Sequence, residues 1–146
     1  TRPRYTSVQQ FGGRGVQTDQ GAAALLLVAT AAVVLMVGLA VVAAGQYLAG
    51  YLQASAAADA AALAAAPVTF RPYGAQGSPA AEAARFARAN GTNLVWCKCD
   101  RDPSFAPRRV EVRVQRNLQV ILFGAQSVSA NGRAEFDPAK LLDPGS

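Results

Sequence analysis

Between Gln20 and Ala58 the chain carries no charged side chain. The first part of that run, AAALLLVATAAVVLMVGLAVVAA, is long enough and apolar enough to cross a bilayer as one helix. Residues 25–44 cover the roughly twenty positions that a hydrocarbon core requires. The helical pattern does not stop at the membrane edge. It continues through GQYLAGYLQASAAADAAALAAA, mostly in helix-tolerant residues, as far as Pro67. The sequence therefore predicts a rod that starts in lipid and runs on into water or into contact with other subunits. The helix is expected to begin near Gly21 or Ala22 with Asp19 as its cap, and to end at Pro67, which cannot continue the hydrogen-bond ladder. Tyr47 and Tyr51, four apart on one face, sit where aromatic rings mark a membrane interface.

Such a rod constrains everything else in a chain of 146 residues. It leaves roughly eighty residues for a soluble part, which is marginal for an independent core. Support from the rod or from neighbouring subunits is expected. The sequence divides into a flexible segment over 1–20, a transmembrane helix with its extension over 21–66, a small head over 67–136 and a polar tail over 137–146. The formal charge of +5 lies almost entirely outside the rod. Arg2, Arg4 and Arg14 precede the apolar run, so the positive-inside rule puts the amino terminus in the cytoplasm and the head outside. A cleaved secretory signal is the competing account, but the apolar region is longer than such signals use.

The head reads as a short helix followed by strands. Ser78 and Pro79 make a cap and first helical position, Glu82 lies in the first turn, and Asn90-Gly91 is a stop signal. Phe86, Ala83 and Ala87 are expected to face inward. NLVWCKC is strand-like, and DRDPSFAP is a turn or exposed loop. From Arg108 to Gln115 the pattern alternates, with Val110, Val112 and Val114 on one face and Arg109, Glu111 and Arg113 on the other. LQVILF is a separate short apolar element, strand or helical turn. Alternation resumes through Val128, Ala130, Ala134 and Phe136. The fold class is α+β: a long amino-terminal helix, a short helix and an antiparallel sheet of three or four strands.

Small residues recur along the rod at Gly38, Gly45, Ala49, Ala56 and Ala60, spacings that permit close helix contact in lipid. Asp59 and Leu63 share that stretch, and together these residues are the candidate helix-packing set. Leu52, Leu63 and the alanines between them also form a weak apolar stripe for the head to cover. In a chain this rich in alanine some small-residue spacing is unavoidable, so the length of the rod weighs more than any one glycine.

Chemistry-bearing groups are sparse. The chain has no histidine, no Ser/His/Asp set, no H-E-x-x-H and no phosphate-binding glycine loop. Cys97-Lys98-Cys99 lacks the redox C-x-x-C spacing and supplies only half the ligands of a structural zinc site. The two cysteines can bond to each other, cross-link to another chain or remain thiols. Neither a catalytic role, nor a cofactor, nor a metal is expected. Arg108, Arg109, Arg113, Arg116 and Arg133 form a candidate basic contact face for lipid headgroups, an acidic partner or, as the lowest alternative, DNA.

The start QGAAALLL, the apolar span and above all YLQASAAADAAALAAAP resemble the TadE/TadG-like proteins of tight-adherence (Flp) pilus systems. Those proteins join a glycine-led membrane helix to a Leu-Gln pair and a tract like AADAAALAAA. Here Leu52 and Gln53 match the pair, and residues 57–66 match the tract. The later order is similar too: a short helix ending at Ala89-Asn90-Gly91, a cysteine-bearing strand, VEVRV and SVSANGRAEF. The small actinobacterial TadE-like members are closest in size. The resemblance implies a minor pilin or pseudopilin that packs through its long helix with other pilin helices and Tad-type machinery, in the membrane or in a surface filament. One departure matters. Pilin-like proteins commonly place a glutamate five residues after the processing point, and residues 22–26 are AAALL, with no acid among them. A membrane-retained adaptor of the same machinery is therefore the alternative.

Overall fold

The computed structural model describes residues 16–70 and 77–142, the side chains of 16–20 excepted. The expectations for the segment 1–15, the connection 71–76 and the last four residues lie outside the described residues. The elements are α1 (Val16–Val68), α2 (Pro79–Ala89), β1 (Asn93–Lys98), β2 (Arg108–Val120) and β3 (Gly124–Phe136), followed by a 3-10 turn at Pro138–Leu141. This is an α+β fold: one long apolar helix and a head of a short helix with a three-stranded antiparallel sheet in the order β1-β2-β3.

The chain divides into two units, Thr1–Leu39 and Ala40–Ser146. In the first, α1 starts at Val16 rather than near Gly21, so Asp19 lies inside its first turn. Side chains 21–39 are all exposed. The most apolar window of the helix has a mean hydropathy of 2.9, consistent with a membrane-spanning or signal segment.

In the second unit α1 carries on to Val68, with Pro67 inside its last turn. The helix runs through Pro67 and ends at Val68, two residues past the 21–66 bounds expected from the sequence. The ladder tightens into i→i+3 bonds as Thr69 N and Phe70 N donate to the Ala66 and Pro67 carbonyls, at 3.2 and 3.1 Å. The α2 ends follow the capping residues. Ser78 Oγ accepts from Ala81 N, Pro79 occupies the first turn, and Gly91 takes φ +70° just past the Asn90 cap.

The sheet covers one face of the helix. Val110, Val112 and Val114 of β2 and Val128, Ala130 and Ala134 of β3 join Ala54, Ala58, Ala61, Ala62 and Ala65 of α1 and Ala83 and Ala87 of α2 in a single core. The core is built from small residues because the layers approach closely. Gly132, paired with Val112 in the sheet, lies against the helix backbone. A Cβ there would come within 2.2 Å of the Ala58 carbonyl oxygen. Further along, Leu118 fills the space above Gly50. The Ile121 N–H donates to Gln46 Oε1 at 3.0 Å. Together these contacts run β2 and β3 along α1 from Ala58 back to Gln46.

Two expectations are corrected. Leu52 and Leu63 are not covered by the head; they are 59 % and 64 % exposed, and the alanines on the opposite side of the helix are buried instead. LQVILF is not a separate element: Leu118 to Val120 finish β2, and Ile121, Leu122 and Phe123 form the three-residue connection to β3. The tail is partly ordered as the 3-10 turn, where Asp137 Oδ1 accepts from Ala139 N.

Candidate helix-packing surface

Because the head takes the alanine face, the opposite face of α1 is bare. Gly45, Ala49, Leu52, Ala56, Asp59 and Leu63 are all exposed. Their spacing of 4-3-4-3-4 puts them on a single stripe. At about 100° per residue each lies within roughly 40° of a common line, while Ala54, Ala58, Ala61 and Ala65 lie on the far side. This is the spacing of a helix that meets another helix along its length. Of the helix-packing set read from the sequence, Gly45, Ala49, Ala56, Asp59 and Leu63 fall on this stripe. Ala60 is half-buried at its flank. Gly38, in the amino-terminal unit, is also exposed. Leu52 joins the stripe from the face on which it was expected to meet the head.

The arginines do not form one basic face. Strand alternation separates them: Arg109 and Arg113 project outward, whereas Arg108 and Arg116 share the side of Val110, Val112 and Val114. On the outer side, charges of both signs alternate. Arg109 pairs with Glu135 at 2.6 Å, Glu111 lies 3.2 Å from Arg133 and 3.7 Å from Lys98, and Arg113 donates to Ser129 Oγ at 3.0 Å. Such exposed pairs each contribute about 0–1 kcal/mol. They also neutralise most of the charge that a phosphate backbone would need.

Arg108 has a different task. Its guanidinium donates to the carbonyls of Asp102, Ser104 and Ala106, approaches that of Thr69 at 3.5 Å, and lies 5.5 Å from the centroid of the Phe70 ring. Phe70 packs edge-on to Phe105, with centroids 5.0 Å apart. The arginine thus staples the end of α1 to the β1–β2 loop. Its Nε is buried without a hydrogen-bond partner among the described residues. Arg108→Met is expected to cost roughly 2–3 kcal/mol, because several carbonyls lose a charged donor. Arg108→Lys should rescue little of that, since an ammonium cannot reproduce the planar fork. Thermal unfolding followed by Trp96 emission checks both; a Met variant that melts with the parent would refute the staple.

The same loop carries an acid-sensitive group. Asp102 Oδ1 accepts from Ser104 N at 2.8 Å. That bond, the Ser104 hydroxyl and the Arg108 charge hold the carboxyl below its ordinary range. A lowered folded-state value means that the stabilisation is complete above the unfolded value, about 3.9, and fades as acid passes through the folded one. Stability measured against pH should therefore fall below about pH 4, and Asp102→Asn should flatten that part of the curve.

Cys97 and Cys99 are bonded to each other at the end of β1 and rest, half-buried, against the core. Of the pairings that the sequence left open, the structure contains the intramolecular one. Among the described residues no group of three or more His, Cys, Asp or Glu gathers as a metal site. No family model, no curated protein and no solved structure matches this chain. The surfaces themselves carry the functional reading.

Proposed function

We propose that the protein is a non-enzymatic minor pilin or pseudopilin of a Tad/Flp-type system, packing through its long helix to initiate, cap or stabilise a filament. The observation that carries this reading is the uncovered stripe Gly45, Ala49, Leu52, Ala56, Asp59 and Leu63. A head that covers one side of a helix and leaves small and apolar residues with one acid, Asp59, at 4-3 spacing on the other is suited to parallel helices in a central bundle. The TadE-like tract over residues 57–66 supplies both faces: Ala57, Ala58, Ala61, Ala62, Ala65 and Ala66 are buried, while Asp59 and Leu63 point away. The Cys97–Cys99 bond supports a head on the oxidising, extracytoplasmic side. Purified filaments and their assembly complexes should contain the chain; consistent absence from both rejects the proposal.

One sequence observation favours a second reading. With no acid in residues 22–26, the charge that pairs with a neighbour's new amino terminus in pilin assembly is missing. A membrane-retained adaptor would then use the same stripe on a neighbouring helix just beyond the bilayer. Recovery of the chain in membrane complexes and never in sheared filaments would select this version.

A further inference from the structure

The β2–β3 hairpin ends in three consecutive large apolar residues that the head does not cover. Ile121, Leu122 and Phe123 are 46 %, 63 % and 66 % exposed. From Asn117 to Gly132, the 16 residues between Arg116 and Arg133, the hairpin carries no charge. Leu122 has φ +76°, a conformation that favours glycine or asparagine, so a bulky apolar side chain is kept at the apex against local preference. An exposed apolar turn of this kind requires a partner.

Its position identifies the partner. The tip lies beside α1 at the end of the apolar run, where Leu122 and Phe123 line a groove of about 510 Å³ with Ala40, Ala44 and Tyr47. Part of the turn's backbone is satisfied from within the protein. Ile121 N donates to Gln46 Oε1, Phe123 N donates to the Val120 carbonyl at 3.2 Å, and the Phe123 carbonyl accepts from Gln126 Nε2 at 3.1 Å. Satisfying these groups from within the protein is what entry into lipid demands, because an unpaired N–H or C=O there costs several kcal/mol.

We propose that the Ile121–Leu122–Phe123 tip inserts into the interfacial layer of the bilayer that holds the helix, giving the head a second point of membrane contact. This rests on the apolar part of α1 lying in a membrane. The tip enters the headgroup and upper acyl region, within about 10 Å of the boundary, as interfacial apolar faces do. Tyr47, beside it on the helix, is suited to the same depth.

The test uses the full chain reconstituted in phosphatidylcholine vesicles. In a Trp96→Phe background, which removes the chain's single tryptophan, one tryptophan is introduced at a time by Phe123→Trp, Val34→Trp or Phe105→Trp. Lipids brominated high on the acyl chain then quench whichever ring they reach. The proposal expects Phe123→Trp to lose most of its emission and shift to shorter wavelength, Val34→Trp to be quenched by deeper bromines, and Phe105→Trp to be unaffected. Leu122→Trp repeats the tip measurement should the first variant fold poorly. Quenching of Val34→Trp without Phe123→Trp overturns the insertion and leaves the membrane helix standing. A blue-shifted but unquenched Phe123→Trp places the tip under protein instead, and also overturns it. Equal quenching of all three means general adsorption of the head and overturns it again; no quenching of any removes the membrane reading and the insertion together.

Discussion

Gly132→Ala is expected to destabilise the head by roughly 3 kcal/mol, at the upper end of overpacking costs, which lowers its melting temperature by roughly 15 °C. The added Cβ would lie 2.2 Å from the Ala58 carbonyl oxygen, 2.3 Å from its carbon and 2.6 Å from Asp59 N. All three atoms are helix backbone, so no side chain can turn aside. The sheet must retreat from α1, and the alanines that met it would then face a gap. A matched control is Gly45→Ala, where nothing lies within 4 Å of the new methyl. That change should be neutral or stabilise by up to about 1 kcal/mol, since alanine is the better helix former. Trp96 lies on β1 and reports the head alone, so its emission during a thermal ramp checks both variants. If Gly132→Ala melts within a few degrees of the parent, the close approach is wrong.

The clash explains why the covered face was hard to read from the sequence. The apolar spacing suggested that Leu52, Leu63 and the alanines between them would form the stripe that meets the head. What decides the matter is Gly132, far along the chain from both. A glycine in a strand marks a place where another backbone comes close, and only an alanine surface lets it do so. Both faces of α1 carry alanines, so their spacing alone does not mark which side meets the sheet, although Asp59 and the leucines lie on the side that stays bare.

Local chemistry was more legible. Ser78, Pro79, Asn90 and Gly91 set the α2 ends, and alternation assigned the inward valines of β2. The same alternation contains the correction to the arginines. Arg108 and Arg116 have the parity of Val110, Val112 and Val114, which already separates them from Arg109 and Arg113. The hairpin escaped for a different reason. Its connecting residues carry no glycine or asparagine: Leu122 takes a positive φ there, and the nearest glycine with positive φ, Gly124, comes just after the connection, at the start of β3. That omission hid both the length of β2 and the surface at its end.

Opposite faces of α1 should respond oppositely to the same substitution, and this separates folding from assembly. Ala58 is fully buried, with its carbonyl against Gly132, so Ala58→Leu should cost about 1–3 kcal/mol of head stability or more. Ala56 is two positions earlier and exposed, on the bare stripe with Ala49 and Leu52. Ala56→Leu should melt with the parent, because the new side chain meets nothing in the head. On the proposed function it nonetheless widens the spacing between neighbouring helices. A similar overpacking cost of about 1–3 kcal/mol at that contact reduces incorporation by roughly tenfold or more at equilibrium. The measurement is the ratio of variant to parent in purified filaments or assembly complexes, with the Trp96 melt run in parallel. Ala49→Leu should behave like Ala56→Leu, seven residues away on the same line. Parental incorporation of both leucine variants would mean that the stripe packs against nothing. Loss of incorporation with an unchanged melt would tie assembly to the face that the head leaves open.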